Sequence, residues 1–177
     1  DECLKYGIQP LVTINHFDVP LYLIETYGSW RSRELVAFYQ NLCRTLFTRF
    51  KGKVKYWLTF NEINMILHLP YMAAGLTFRE GEDPGQACYA AAHHELLASA
   101  LAVELAHKID PDNRVGCMLA AGNTYPYSCN PQDVLAGLLA DRESFFFTDV
   151  QVRGYYPSYA RKKLEREYIR IPAQAGD

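Results

Sequence analysis

Two short apolar runs in this chain each end in a polar cluster that could do acid–base chemistry. Val54 to Phe60 is rich in aromatic and β-branched residues and stops at Asn61-Glu62, which is the pattern of a buried strand ending in polar groups. Leu11 to Asn15 follows the breaker Pro10 and leads into His16-Phe17-Asp18-Val19-Pro20. A carboxyl walled by aromatics has its charged form disfavoured by desolvation, so Glu62 is expected to stay protonated near neutral pH and serve as a general acid. A neutral imidazole can hold a substrate hydroxyl through one nitrogen while a neighbour holds the other, which suits His16. The simpler readings are a surface Glu that starts a loop and a His satisfied inside one. Two strands with the same layout favour a shared cleft, which Asn15 and Asp18 would also face. Pro20 blocks further ladder pairing.

The elements that position these groups alternate strand and helix. After the first strand, Ser32 can cap a helix to about Phe50, with Glu34 in its first turn. Leu35, Phe38, Leu42, Leu46 and Phe50 recur at three- and four-residue steps, which marks one face for burial. Gly52 stops that helix. A Gly/Pro-containing loop follows Glu62, then an Ala- and Leu-rich helix over about 86–108. A third strand is expected over 114–120, a helix over about 131–142 with Pro131 at its first position, and a last helix after Pro157. Strand starts at 11, 54 and 114 lie 43 and 60 residues apart, enough for crossover connections, so the sheet should be parallel. In a parallel barrel the C-terminal mouth of the strands carries the chemistry.

Composition narrows the partners. Apolar residues make up 49%, charged ones 21%, and the formal net charge is −2. That balance supplies no electrostatic footprint for nucleic acid and no polybasic membrane patch, and no apolar run reaches membrane-spanning length. Cys3, Cys43, Cys88, Cys117 and Cys129 show no Cys-X-X-Cys spacing; reduced thiols in a cytoplasmic protein fit them better than a disulfide framework.

Several motifs fall short. His94-Glu95-Leu96-Leu97-Ala98 begins like a zinc-binding His-Glu-X-X-His but lacks the second His, so no metal site is expected. His93, His94 and His107 read instead as helix-surface or interhelical residues. No nucleotide-binding glycine pattern or Gly-X-Ser-X-Gly elbow occurs. Residues 161–167 mix charge signs, as a solvated helix face does, and Phe145-Phe146-Phe147 reads as packing.

Thr13-Ile14-Asn15-His16-Phe17-Asp18-Val19-Pro20, Tyr27-Gly28-Ser29-Trp30, Trp57-Leu58-Thr59-Phe60-Asn61-Glu62 and Arg153-Gly154-Tyr155-Tyr156-Pro157 resemble, in order, successive blocks of the family 1 glycoside hydrolases. Phe17 and Val19, Ile63-Asn64 after the Glu, and the run Asn123 to Cys129 resemble the bacterial 6-phospho-β-glucosidase branch; most of the family has Trp, Leu and Pro in place of Phe17, Val19 and the residue after Glu. The resemblance implies a (β/α)8 barrel and retaining hydrolysis of a phosphorylated β-glucoside without cofactor or metal; a β-glucosidase or 6-phospho-β-galactosidase of the same family, and a noncatalytic barrel fragment, are the alternatives. It implies Glu62 as acid/base, Asn61 on the 2-hydroxyl of the sugar beside the scissile bond, His16 near its 3-hydroxyl, and Trp30 in packing.

Retaining chemistry also needs a second carboxylate ~5–5.5 Å from the first. The family supplies it in a Thr/Ser-Glu-Asn-Gly block, and no such block occurs among these residues. A complete barrel takes about 250 residues, against 177 here. The expectation is therefore a partial α/β barrel of about three consecutive βα units. Residues 1–177 would form an internal segment of one catalytic domain, lacking the first and last strands. It would be inactive alone and, unless its helices close over the sheet, would either self-associate through exposed edges or be poorly stable.

Overall fold

A computed structural model describes residues 1–177. Three strands, β1 (Leu11–Asn15), β2 (Tyr56–Phe60) and β3 (Arg114–Gly116), form one parallel sheet in the order β1-β2-β3. The register pairs Asn15 with Phe60 and Leu58 with Gly116. Seven helices accompany the sheet: α1 (Glu2–Lys5), α2 (Leu21–Tyr27), α3 (Glu34–Arg49), α4 (Pro70–Ala74), α5 (Pro84–Ile109), α6 (Pro131–Arg153) and α7 (Ser158–Arg166). Tight 3-10 turns occupy Ser29–Arg31 and Ile63–Leu67. No helix is long and apolar enough to cross a membrane.

Local chemistry sets the helix ends. Asp83 caps α5 by accepting from the amides of Gly85 and Gln86, with Pro84 in the first turn. Asn130 does the same for α6, accepting from Gln132 N, and Gly154 ends that helix at φ 73°. A left-handed residue of this kind is one that glycine adopts without steric penalty. The run 143–153 contains no breaker, which is why α6 continues 11 residues past the boundary expected at Arg142.

Core packing selects the faces. Trp57 and Phe47 are almost completely buried and meet edge to face at 5.1 Å. Tyr39 stacks on Phe60 at 4.8 Å and donates its hydroxyl to Thr59 O. These contacts turn α3 so that Leu35, Val36, Tyr39, Cys43 and Phe47 are buried, while Phe38, Leu42 and Phe50 stay at least one-third exposed. The expected face was therefore wrong by about one residue step around the helix. Both stripes are apolar, and only the aromatic side chains of β2 decide between them. Asn113 ties β2 to the end of α5, accepting from Trp57 Nε1 at 3.2 Å and donating to Ala106 O at 3.0 Å.

Regular pairing along β3 stops at Gly116 rather than Ala120. The chain beyond it keeps alternate contacts with β2. Met118 N donates to Phe60 O at 3.0 Å, and Ile63 N donates to Met118 O at 3.1 Å.

Candidate active site

The parallel register carries the two sequence clusters to one end of the sheet. Asn15 pairs with Phe60, so His16 and Asn61 follow at one level and Phe17 and Glu62 at the next. Asn61 N donates to Asn15 O at 2.9 Å, which extends the β1–β2 ladder by one rung. Asn61 is 8% exposed, Glu62 half-buried and His16 exposed. Asp18 spends a carboxylate oxygen on the amide of His16 at 2.6 Å, so it shapes the turn that presents the imidazole.

Both turns pass through backbone conformations that ordinary residues avoid. Phe17 has φ 68°, and Glu62 has φ 43° and ψ 52°. A non-glycine residue in this left-handed region costs about 1–2 kcal/mol and persists only where its surroundings over-determine it. At Glu62 the neighbours on both sides are fixed: Asn61 is bonded to β1, and Ile63 is bonded to Met118 beyond β3. The carboxyl thus leaves the strand at the single residue that takes up the change of direction.

The loops around this mouth interlock. Ser29 Oγ donates to Ala74 O, and Arg31 forms a two-pronged pair with Glu82 while also donating to Thr77 O. Glu82 also accepts from Arg79 N at 2.9 Å. Hydrogen bonding from Arg31 holds the Glu82 carboxyl below the usual carboxylate range. His94 Nδ1 lies 2.8 Å from Trp30 O. A carbonyl only accepts, so that nitrogen carries the proton. Burial lowers the His94 pKa and favours the neutral ring. Trp30, 3% exposed, packs edge to face on Phe60 and Tyr39 at 5.4 and 5.9 Å.

Behind the sheet lies a second polar group that periodicity did not single out. Thr59 Oγ1 and Ser99 Oγ are 2.8 Å apart, and Gln151 Nε2 donates to Ser99 Oγ at 3.3 Å. Glu95, 3% exposed, has its carboxyl pushed well above the usual range by burial. On the outer side of α5, His93 bridges Tyr156 and Asp177 at 2.9 and 3.1 Å. His93 and His94 are therefore buried residues that tie α5 to the Ser29–Arg31 turn and to the segments on either side of α7.

The fold and site define a segment of parallel βα architecture whose strand mouths hold a carboxyl beside a carboxamide. The sequence profile "Glycosyl hydrolase family 1" matches residues 1–176, and the chain belongs to that family. It is 57% identical over its whole length to 6-phospho-beta-glucosidase AscB of Escherichia coli, of which it covers 37%. It is 49% identical over its whole length to aryl-phospho-beta-D-glucosidase BglH of Bacillus subtilis, of which it covers 38%. A solved structure of a beta-glucosidase from Thermotoga maritima in complex with glucoimidazole superposes with a TM-score of 0.81 at 29% identity, over 96% of this chain and 38% of that one. The chain thus spans just over a third of the length of these relatives and corresponds to part of the family's (β/α)8 barrel.

Proposed function

We propose that this chain is the acid/base-bearing segment of a retaining β-glycosidase that acts on phosphorylated β-glucosides in the cytoplasm, and that residues 1–177 lie within its single barrel domain. The observation that carries the reading is the strand-end arrangement of Glu62 with Asn61 beside it and His16 level with Asn61. The phosphorylated substrate class rests on the names of the relatives. In this reading Glu62 protonates the leaving oxygen as the glycosyl–enzyme bond forms, then takes a proton from the water that hydrolyses the intermediate. Asn61 donates its amide to the sugar 2-hydroxyl and His16 binds near the 3-hydroxyl. The nucleophile comes from outside these 177 residues.

The test is Glu62→Gln in the longer hydrolase. Hydrolysis of alkyl 6-phospho-β-glucosides should fall about 10²–10⁴-fold, the range for a general acid. The glycosylation step of a dinitrophenyl substrate, whose leaving group needs little protonation, should fall far less. Azide should restore part of the turnover, because an anionic nucleophile needs no general base. Equal losses on both substrates without azide rescue would sink the acid/base role, and faster turnover of the unphosphorylated glucoside would sink the phosphate specificity.

The same reading makes the isolated 177-residue chain inactive and self-associating. Leu11 on edge strand β1 is 62% exposed, and Tyr56 on β2 is 39% exposed; open edges and apolar surface template association. Light scattering that shows a stable monomer would refute the association.

A further inference from the structure

We infer that Asn64 is a positioning residue for the Glu62 carboxyl, acting by a side-chain rung that continues the sheet where the backbone leaves it; this rests on the acid/base reading of Glu62. Asn64 is 4% exposed. Its Nδ2 donates to Ala120 O at 2.8 Å and its Oδ1 accepts from Ala120 N at 2.9 Å. The carboxamide therefore satisfies both backbone groups of Ala120. The backbone rungs between β2 and the chain after β3 run through Phe60–Met118 and Ile63–Met118. The second of these lies just past the turn at Glu62 and is the last, and the Asn64 side chain takes over at the next residue, bonding Ala120 two residues beyond Met118.

Simple satisfaction of an edge strand does not account for this. Ala120 is only half-buried, so water could reach its backbone groups. What water could not do is hold residues 64 and 120 at a fixed separation. Ile63 and Ile66, 3% and 0% exposed, seat the same turn in the core. Asn61 on one side is tied to Asn15 O at 2.9 Å. Glu62 is thus left between two anchored points in a conformation that it would not hold unaided. Releasing the Asn64 rung leaves the far side held by the Ile63–Met118 bond and core packing alone, and so loosens the Glu62 Cα–Cβ direction.

The experiment uses the longer hydrolase with three variants on paired substrates, an alkyl and a dinitrophenyl 6-phospho-β-glucoside. Asn64→Leu keeps the branching and heavy-atom count, at the cost of some added bulk, and removes both hydrogen bonds. It should lower kcat on the alkyl substrate roughly tenfold to a hundredfold, the scale of a misplaced catalytic group. KM and the dinitrophenyl rate should stay within about twofold. Asn64→Asp keeps the acceptor for Ala120 N but sets a second oxygen against Ala120 O. Repulsion there favours the protonated acid, whose O–H restores the donor. The alkyl activity of Asn64→Asp relative to wild type should therefore rise as pH falls from about 8 to about 5.5, a trend that packing alone would not produce. Wild-type alkyl turnover in Asn64→Leu, or an equal loss on both substrates, overturns the positioning role. A flat pH ratio in Asn64→Asp also overturns it. Glu62→Gln is the control: if it fails to discriminate between the two substrates, the acid/base reading falls and this inference with it.

Discussion

The mouths of β1 and β2 are built differently from the mouth of β3. At the first two, loops from separate βα units are fastened together. Ser29 bonds Ala74 O, Arg31 grips Glu82 and Thr77 O, and His94 holds Trp30 O. Past β3 the chain is held through Ala120 by Asn64 and then runs exposed from residue 121 to 130, with Tyr125 and Tyr127 at 79% and 99% exposure. The contrast shows where this fold invests its precision. The residues that carry acid/base and sugar-binding expectations sit on the fastened side, where packing can hold a strained Glu62. The open side supplies the rungs from Met118 and Ala120 that steady it.

A glycine exchange on each side breaks this contrast most sharply. Gly75 has φ 63°, and a Cβ there would lie 2.7 Å from Ile24 Cδ1 and 3.2 Å from Ser29 Oγ. Gly75→Ala combines left-handed strain with overpacking between the two fastened loops, so it should destabilise the chain by about 2–3 kcal/mol. Gly122, on the open side, has nothing within 4 Å of a built Cβ. Gly122→Ala should stay within about 0.5 kcal/mol of wild type. Urea unfolding of both variants measures the difference. Equal stabilities would mean that the loops around β1 and β2 are no more tightly fitted than the segment past β3.

Much of this arrangement was legible in the residues. An apolar run that ends in polar side chains located β1 and β2, and crossover-length connections fixed them as parallel. Pro131 marked the start of α6, whereas α5 begins at Pro84, two residues before the start expected at about residue 86. Other features depend on partners far along the chain. The buried face of α3 was set by Trp57 and Phe60, and two apolar stripes at the same spacing could not be ranked without them. The left-handed turn at Glu62 carried no signal, because glycine marks such positions and glutamate does not. The Asn64 rung joins residues 56 apart and follows only from the register of β2 against β3. Glu95 was read as part of a failed zinc pattern; its burial comes from the packing of α5 against α3 and the turns around it.

A smaller effect sharpens the comparison by asking what the Arg31–Glu82 pair contributes. The two side chains are 21% and 25% exposed, and Arg31 also lies 5.8 Å from the Phe78 ring centroid. Solvent screening limits such a pair, so Arg31→Met should cost less than about 1 kcal/mol at neutral pH. The sign with pH follows from the lowered pKa of Glu82, whose first cause is hydrogen bonding by Arg31. A carboxyl lowered in the folded state contributes stability above its unfolded value, about 4.3, and loses it as pH falls through the lower folded value. The unfolding curves of wild type and Arg31→Met should therefore separate at pH about 7 and converge below about 4. They should also draw together in about 1 M salt, where the screening length is only ~3 Å. If the gap is the same in acid and in high salt, the contribution of Arg31 lies in contacts other than its ion pair with Glu82, and the loops are fastened by shape rather than by charge.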